Sequence, residues 1–289
     1  MLLLELKGMT GNQMFQYAAG KHLQRITGLP LFIDDFQRKA MKWSLDKYFD
    51  VPELKPAKVA IAKMLSSDSL NRFWKFYRPE NKTYTEACIP WETFSEDVFK
   101  VKRITKLRGY LQSSKYFDHD FEFARSLFKL LPQYSDRVEA ESERLGVSDN
   151  NVCAIHVRQA FDYRQASSGV GHEVLGWSVP ASFYDIVISR LPAELRFLVF
   201  GDDMDWAKQH LSHLENVEFV AENSPIVDMF LISRCPYKVL SNSTFAWWAG
   251  AMDDNRDSTI YSPEFFVGYH KNAWFPPDIS VQGWNYVHD

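Results

Sequence analysis

The sequence predicts an α/β protein made of two Rossmann-like halves that face each other across a cleft. Three observations predict it. From Val152 to Tyr261, short apolar runs alternate with segments of helical periodicity, the pattern of a parallel sheet with helices on both faces. At the start, the apolar run LLLEL meets a Gly-containing turn and then a helical pattern, GMTGNQMFQYAAGKHL. Finally, 289 residues are enough for two medium domains, and the polar stretch GVSDNN at 146–151 is the natural place to divide them. The predicted halves are therefore 1–150 and 151–289.

In the first half, 2–6 reads as a buried strand, 12–27 as a helix and 31–33 as a second strand. A long, charged, helical stretch follows, then a strand-like run at 107–112 and helices near 121–131 and 137–145. In the second half, strands are expected at 152–158, 196–200, 217–220, 237–240 and 259–261, with helices at 182–191, 203–211, 226–234 and 244–252 between them. There is no internal repeat and no low-complexity segment.

Composition narrows the function. A hydrophobic share of 46% and a charged share of 24% describe a folded soluble chain. A net charge of −4 gives no basic footprint for nucleic acid. The aromatic share of 15%, with nine Trp, suits both sugar stacking and an aromatic core. Cys88, Cys153 and Cys235 have no paired metal spacing and read as reduced core thiols. No run approaches the roughly 20 apolar residues of a membrane span, and the first strand is too short for a signal peptide. A cytoplasmic protein is expected, with at most peripheral contact at the inner face of the membrane.

In open α/β sheets, ligands bind beyond the carboxyl ends of the strands, so the residues that follow each strand are the candidates. Gly8 and Gly11 allow a ligand to approach the backbone, and Asn12 sits where the first free N–H groups of a helix point outward; a plain capped βα turn reads equally from the same residues. His156 and Arg158 project to one side of their strand, where an Arg can hold a phosphate bidentately or simply be salt-bridged. Asp202, Asp203 and Asp205 follow the second strand and suit either a divalent metal or a helix cap. Asp228, in a first helical turn, is a dipole partner or an acceptor for the two adjacent N–H edges of guanine. Ser243, Thr244 and Phe245 open a helix whose free N–H and hydroxyl groups fit a phosphate or an ordinary cap.

Five stretches in order, GNQMFQYAAG, GYLQSSKYF, HVR followed by DY, FLVFGDDMDW and VDMFLISRCPYKVLSNSTFAWW, resemble the α-1,2-fucosyltransferases of glycosyltransferase family 11. The resemblance runs from Gly8 to about Trp248, and SNSTFAWW is its most specific part. It implies a GT-B fold with an N-terminal acceptor-side domain and a C-terminal domain that binds the GDP-sugar. It implies an inverting, metal-independent transfer of L-fucose from GDP-β-L-fucose to O2 of a β-galactoside, in surface-glycan or O-antigen synthesis, with no cofactor. His156 and Arg158 match the family's HxR motif, where the Arg contacts the pyrophosphate. Asp228 and Ser243, Thr244 and Phe245 match donor-site positions, as Asn12 does from the first motif; Asp202 is placed with them. Where the family reads HVRRGDY, this chain reads HVRQAFDY, whose spacing is similar to that of protein O-fucosyltransferases.

A transferase of this kind needs fixed donors for the departing pyrophosphate, here Arg158 and the helix start at Ser243 and Thr244. It also needs a group to take the acceptor proton, for which Asp162 is the candidate. Two alternatives stand beside it. One is a metal-dependent GT-A enzyme using Asp203 and Asp205; the other is a non-catalytic glycan-binding protein.

Overall fold

Two parallel sheets organise the chain, one in each of two units. The computed structural model describes residues 1–34, 44–65, 75–77, 81–83, 90–92, 94–100, 105–159, 178–221, 223–266 and 276–288. Unit 1 comprises Met1–Tyr84, Ile89–Leu131 and Pro276–Ile279; unit 2 comprises Thr85–Cys88, Pro132–Phe275 and Ser280–Asp289.

Unit 1 runs β1 (Leu2–Glu5), α1 (Thr10–Thr27), β2 (Leu31–Asp34), α2 (Pro56–Leu65), β3 (Lys75–Tyr77), β4 (Asn81–Thr83), β5 (Pro90–Glu92), β6 (Thr105–Leu107) and α3 (Phe121–Ser126). Its sheet has the order β2-β1-β6-β3, all parallel, while β4 and β5 form a separate antiparallel pair. Leu2, Leu3 and Leu4 of β1 are fully buried, as an apolar run in a parallel sheet requires. Gly20 lets α1 lie close on that strand, since a Cβ there would come within 3.0 Å of the Leu4 side chain. The expected strand at 107–112 stops at Leu107. Gly109 (φ 143°) and Leu111 (φ 53°) take backbone angles that no strand continues, and the chain turns into a single 3₁₀ turn, Ser114–Phe117, capped by the Ser113 hydroxyl.

Unit 2 runs α4 (Pro132–Leu145), β7 (Val152–Val157), α5 (Ala181–Ile188), β8 (Arg196–Gly201), α6 (Met204–Leu211), β9 (Val217–Phe219), α7 (Pro225–Arg234), β10 (Tyr237–Val239), α8 (Thr244–Ala251), β11 (Thr259–Pro263) and β12 (Asn285–Val287). The six strands are parallel in the order β12-β11-β10-β7-β8-β9. Every residue of β7 is buried. The alternation expected from the sequence is present element for element; β12, three residues near the chain end, is additional. Helix α4 belongs to unit 2, where Arg234 of α7 reaches Glu139 at 2.9 Å and Ser142 at 2.9 Å. Cys153 and Cys235 are free and buried, and burial pushes both thiols up; Cys88 lies outside the described residues. No described helix is long and apolar enough to cross a membrane.

One buried charge anchors the second sheet. Lys238 in β10 is fully buried and meets Asp253 at 2.5 Å, Ser258 at 3.3 Å and the Cys235 carbonyl. A buried charge that loses its partner costs about 3–5 kcal/mol, whereas replacing both partners by apolar groups is often close to neutral. Lys238→Met is therefore expected to lower stability by about that amount in urea titration. The pair Lys238→Met with Asp253→Leu should recover most of the loss.

Candidate active site

Parallel strands deliver their carboxyl ends to one edge, and in unit 2 the central trio β10-β7-β8 ends in polar residues that are tied to one another. At the end of β7, His156 is buried, and its Nδ1 shares a 2.7 Å hydrogen bond with the Ser241 hydroxyl beyond β10. Its ring stacks on Phe245 with centroids 5.1 Å apart, and its carbonyl accepts a hydrogen bond from the Tyr184 hydroxyl at 3.2 Å. Burial, with the Arg158 guanidinium adding to it, pushes the His156 imidazole down to about 3. The ring is neutral at physiological pH and ties the end of β7 to Ser241.

Arg158 forms an ion pair with Asp202 beyond β8. The other Asp202 oxygen accepts the Gln159 backbone N–H at 2.8 Å, and Gln159 Nε2 donates to the Val179 carbonyl at 2.6 Å. Both oxygens of Asp202 are thus spent on holding the β7 end, including the guanidinium. The sequence suggests that Asp202 touches the donor; in the structure one of its oxygens bonds Arg158 and the other the Gln159 N–H. Asp203 accepts the Trp206 N–H at 3.0 Å and caps α6, which gives the DxD-like run a structural duty. Among the described residues, no group of three His, Cys, Asp or Glu side chains stands in metal-binding geometry.

Helix α8 begins at this same edge. Ser243 is its N-cap, accepting the Ala246 N–H at 3.0 Å, and lies 3.4 Å from the Ser241 hydroxyl. Thr244 and Phe245 follow in the first turn, half-buried. The helix start presents N–H groups and a positive dipole end beside the Arg158 strand end.

Asp228 occupies the first turn of α7. Its Oδ1 is buried with no hydrogen-bond partner among the described residues, and so are Ser224 Oγ and Asn223 Nδ2 beside it. Burial pushes the Asp228 carboxyl up to about 7; Asn223, close by but outside hydrogen-bonding geometry, pulls the other way, and the Glu141 carboxylate of α4 adds to the rise. Glu141 itself is held by Arg137 at 3.0 Å and Arg144 at 2.8 Å. Buried polar atoms in native structures are nearly always satisfied, so three unmet ones at one helix start mark a place where a ligand is expected to supply the partners.

Asn12 stands in the first turn of α1 in unit 1, and its Oδ1 accepts a 2.8 Å hydrogen bond from Gln112 Nε2. Asp162, the expected proton acceptor, lies outside the described residues. The sequence alone does not single out Ser241, Gln159 or Gln112. Ser241 and Gln112 sit inside the SNSTF and GYLQSS stretches, but nothing in their spacing announces that they bind His156 and Asn12.

The protein-family description "Glycosyl transferase family 11" matches residues 1–288. The O-antigen biosynthesis glycosyltransferase WbnK of Escherichia coli is 26% identical over 302 residues, covering 92% of this chain and 95% of that protein. An Escherichia coli alpha-1,2-colitosyltransferase is 25% identical, covering 95% and 96%. The galactoside alpha-(1,2)-fucosyltransferase 1 of Aotus azarae is 24% identical, covering 94% and 72%. Among solved structures, the fucosyltransferase NodZ from Bradyrhizobium aligns with a TM-score of 0.54 at 15% identity, over 86% of this chain and 91% of that one. That likeness carries the fold: two units with parallel α/β sheets, the GT-B class.

The Asp228 carboxyl couples stability to pH. Its folded value, about 7, lies above the ordinary carboxylate value of 3.8, so the folded chain binds this proton more tightly than the unfolded one. Stability from this group is present at low pH and lost as pH rises from about 4 through 7. Asp228→Asn is expected to raise the unfolding midpoint at pH 8 by several degrees and to change it little at pH 4. Equal shifts at both pH values in thermal melts would contradict this.

Proposed function

The chain belongs to glycosyltransferase family 11, and we propose that it moves L-fucose from GDP-β-L-fucose to the O2 hydroxyl of a β-galactoside with inversion. The observation that supports it most is the unmet acceptor at Asp228 Oδ1, buried at a helix start in the unit that also carries Arg158. Guanine offers two adjacent N–H donors on one edge, and a carboxylate is their natural complement. Arg158 then neutralises the pyrophosphate with its planar fork, helped by N–H groups at the start of α8. As the sugar bond breaks, negative charge grows on the pyrophosphate, and donors already fixed in place stabilise it without reorganisation. Asp162 takes the proton of the attacking hydroxyl.

Each role leads to a measurement. Arg158→Ala is expected to lower kcat by about 10²–10³ while the fold survives, the usual cost of one charge-stabilising donor; Arg158→Lys should recover only part, since it lacks the fork. Near-normal turnover in Arg158→Ala would remove the pyrophosphate role. Transfer should continue in EDTA, and loss in EDTA with rescue by Mn²⁺ would instead assign the reaction to a metal held near Asp203 and Asp205. The similarity to a colitosyltransferase favours one second donor. Colitose is fucose without its 3-hydroxyl, so GDP-fucose and GDP-colitose should be assayed side by side, with the product linkage identified. A higher kcat/KM for GDP-colitose would move the assignment to that sugar.

A further inference from the structure

We propose that Asn223 is a specificity-determining residue for the base of the donor nucleotide, its side-chain amide donating to the guanine 6-oxo group. Arg137 is the positioning residue that keeps the donating end of that amide turned toward the base. This rests on the reading of Asp228 as the guanine acceptor, and it stays within unit 2, which holds all three residues.

Guanine offers an oxo acceptor at C6 and, next to it along the same edge, N–H donors at N1 and on the 2-amino group. A carboxylate answers the two donors and leaves the oxo group in need of a donor beside it. The start of α7 has one. Ser224 is the N-cap, so Asn223 precedes the cap and Asp228 is the fourth helical residue, two positions whose side chains meet across a first turn. Asn223 Nδ2 and Asp228 Oδ1 are both buried, and neither has a hydrogen-bond partner among the described residues. A donor and an acceptor thus stand side by side, the complement of the oxo group next to N1–H. The Ser224 hydroxyl between them in sequence is also unmet. An N-cap serine ordinarily accepts an N–H of the first turn. Here the Val227 and Asp228 N–H groups turn to the Ser224 carbonyl instead, at 2.9 and 3.2 Å, so the hydroxyl is not used as a cap.

A primary amide has two ends of similar shape and opposite function, and a printed geometry on its far side selects the end that Asn223 offers. Arg137 of α4 reaches Asn223 Oδ1 with Nε at 3.4 Å and Nη2 at 3.3 Å. A guanidinium carries donors and no acceptor, so only the carbonyl end can face it, and the N–H end faces away. Arg137 is held in turn. It pairs with the buried Glu141, one turn further along α4, at 3.0 Å. Glu141 also takes Arg144 at 2.8 Å, and Arg144 reaches Glu218 of β9 at 3.0 Å. Ion pairs of half-exposed arginines add little stability; these form a line from β9 through α4 that ends on the Asn223 carbonyl and sets its orientation. Adenine carries an amino group where guanine has the oxo group, which would set donor against donor at Asn223. The same residue therefore rejects the wrong base.

The test begins with the unaltered protein. 6-Thio-GDP keeps the N1 and 2-amino donors and replaces the oxo oxygen by sulfur, a weak acceptor. In calorimetry it is expected to bind about tenfold more weakly than GDP, close to the net worth of one hydrogen bond in a buried setting. Asn223→Ala should lower GDP affinity by a similar factor and 6-thio-GDP affinity little, so that the preference between them disappears; the gap between GDP and ADP should narrow. Arg137→Met should lose less GDP affinity, keep 6-thio-GDP affinity, and add nothing to Asn223→Ala in the double variant. Equal affinity of the unaltered protein for GDP and 6-thio-GDP would overturn the proposal, as would equal losses of the two nucleotides in Asn223→Ala. Losses that multiply in the double variant would overturn the positioning role of Arg137. Asp228→Asn separates this from the reading beneath it. If that variant loses GDP affinity while Asn223→Ala does not, the guanine site stands and Asn223 is struck; if it binds GDP as before, both fall.

Discussion

The site depends on cross-ties between the ends of neighbouring parallel strands. A parallel sheet brings its carboxyl ends together but does not by itself hold the side chains that follow. Here His156 near the end of β7 is fastened to Ser241 after β10, and Arg158 just after β7 to Asp202 after β8. Each tie spans adjacent strands, so the sheet's own hydrogen bonds set its length. Arg158 would otherwise be a long side chain with much rotamer freedom to lose on binding. Held by Asp202, it has already lost part of that freedom, which in the proposed pyrophosphate role is the condition for electrostatic stabilisation without reorganisation.

The same device recurs in unit 1. Lys106 of β6 pairs with Asp34 at the end of β2 at 2.8 Å, Arg108 just after β6 pairs with Glu5 at the end of β1 at 2.6 Å, and Gln112 reaches Asn12 one loop further on. Such pairs add little net stability where solvent reaches them, and burial of Lys106 and Asp34 carries a desolvation cost. Their return is geometric. They tie strands of one sheet to one another through their side chains. Asp228 is the counterexample within unit 2: a carboxylate left with an unmet oxygen in a buried setting, kept there at a cost that a bound guanine would offset.

Much of the fold is legible in the sequence because its signal is repetitive. The apolar strands from β7 to β11 and the helices between them follow from periodicity alone, and the Gly8 turn from its composition. The run at 107–112 misleads because Leu107 to Gln112 has strand-like composition, while the positive φ at Gly109 and Leu111 leaves no mark in it. Helix α4 is hard to place with the unit it packs in because its partner Arg234 lies 92 and 95 residues away from the side chains it binds. For the site, the residue types are readable and the pairings are not. Asp202 looks like a ligand contact because a carboxylate after a strand has that reputation, and only the fold shows both of its oxygens engaged. The tie from His156 to Ser241 and the burial that keeps its ring neutral are likewise invisible in one dimension.

The central claim is that unit 2 carries a guanosine diphosphate site read by Asp228, and it has a direct calorimetric signature. A carboxyl that titrates near 7 in the free chain must ionise to accept the two guanine N–H groups. GDP binding at a pH of about 6.5, just below that value, should therefore release protons. The apparent enthalpy should change between two buffers of different ionisation enthalpy, and the slope should give a substantial fraction of one proton per GDP, vanishing in Asp228→Asn. ADP should bind far more weakly. GDP binding with no buffer dependence, or equal affinity for GDP and ADP, would contradict the assignment.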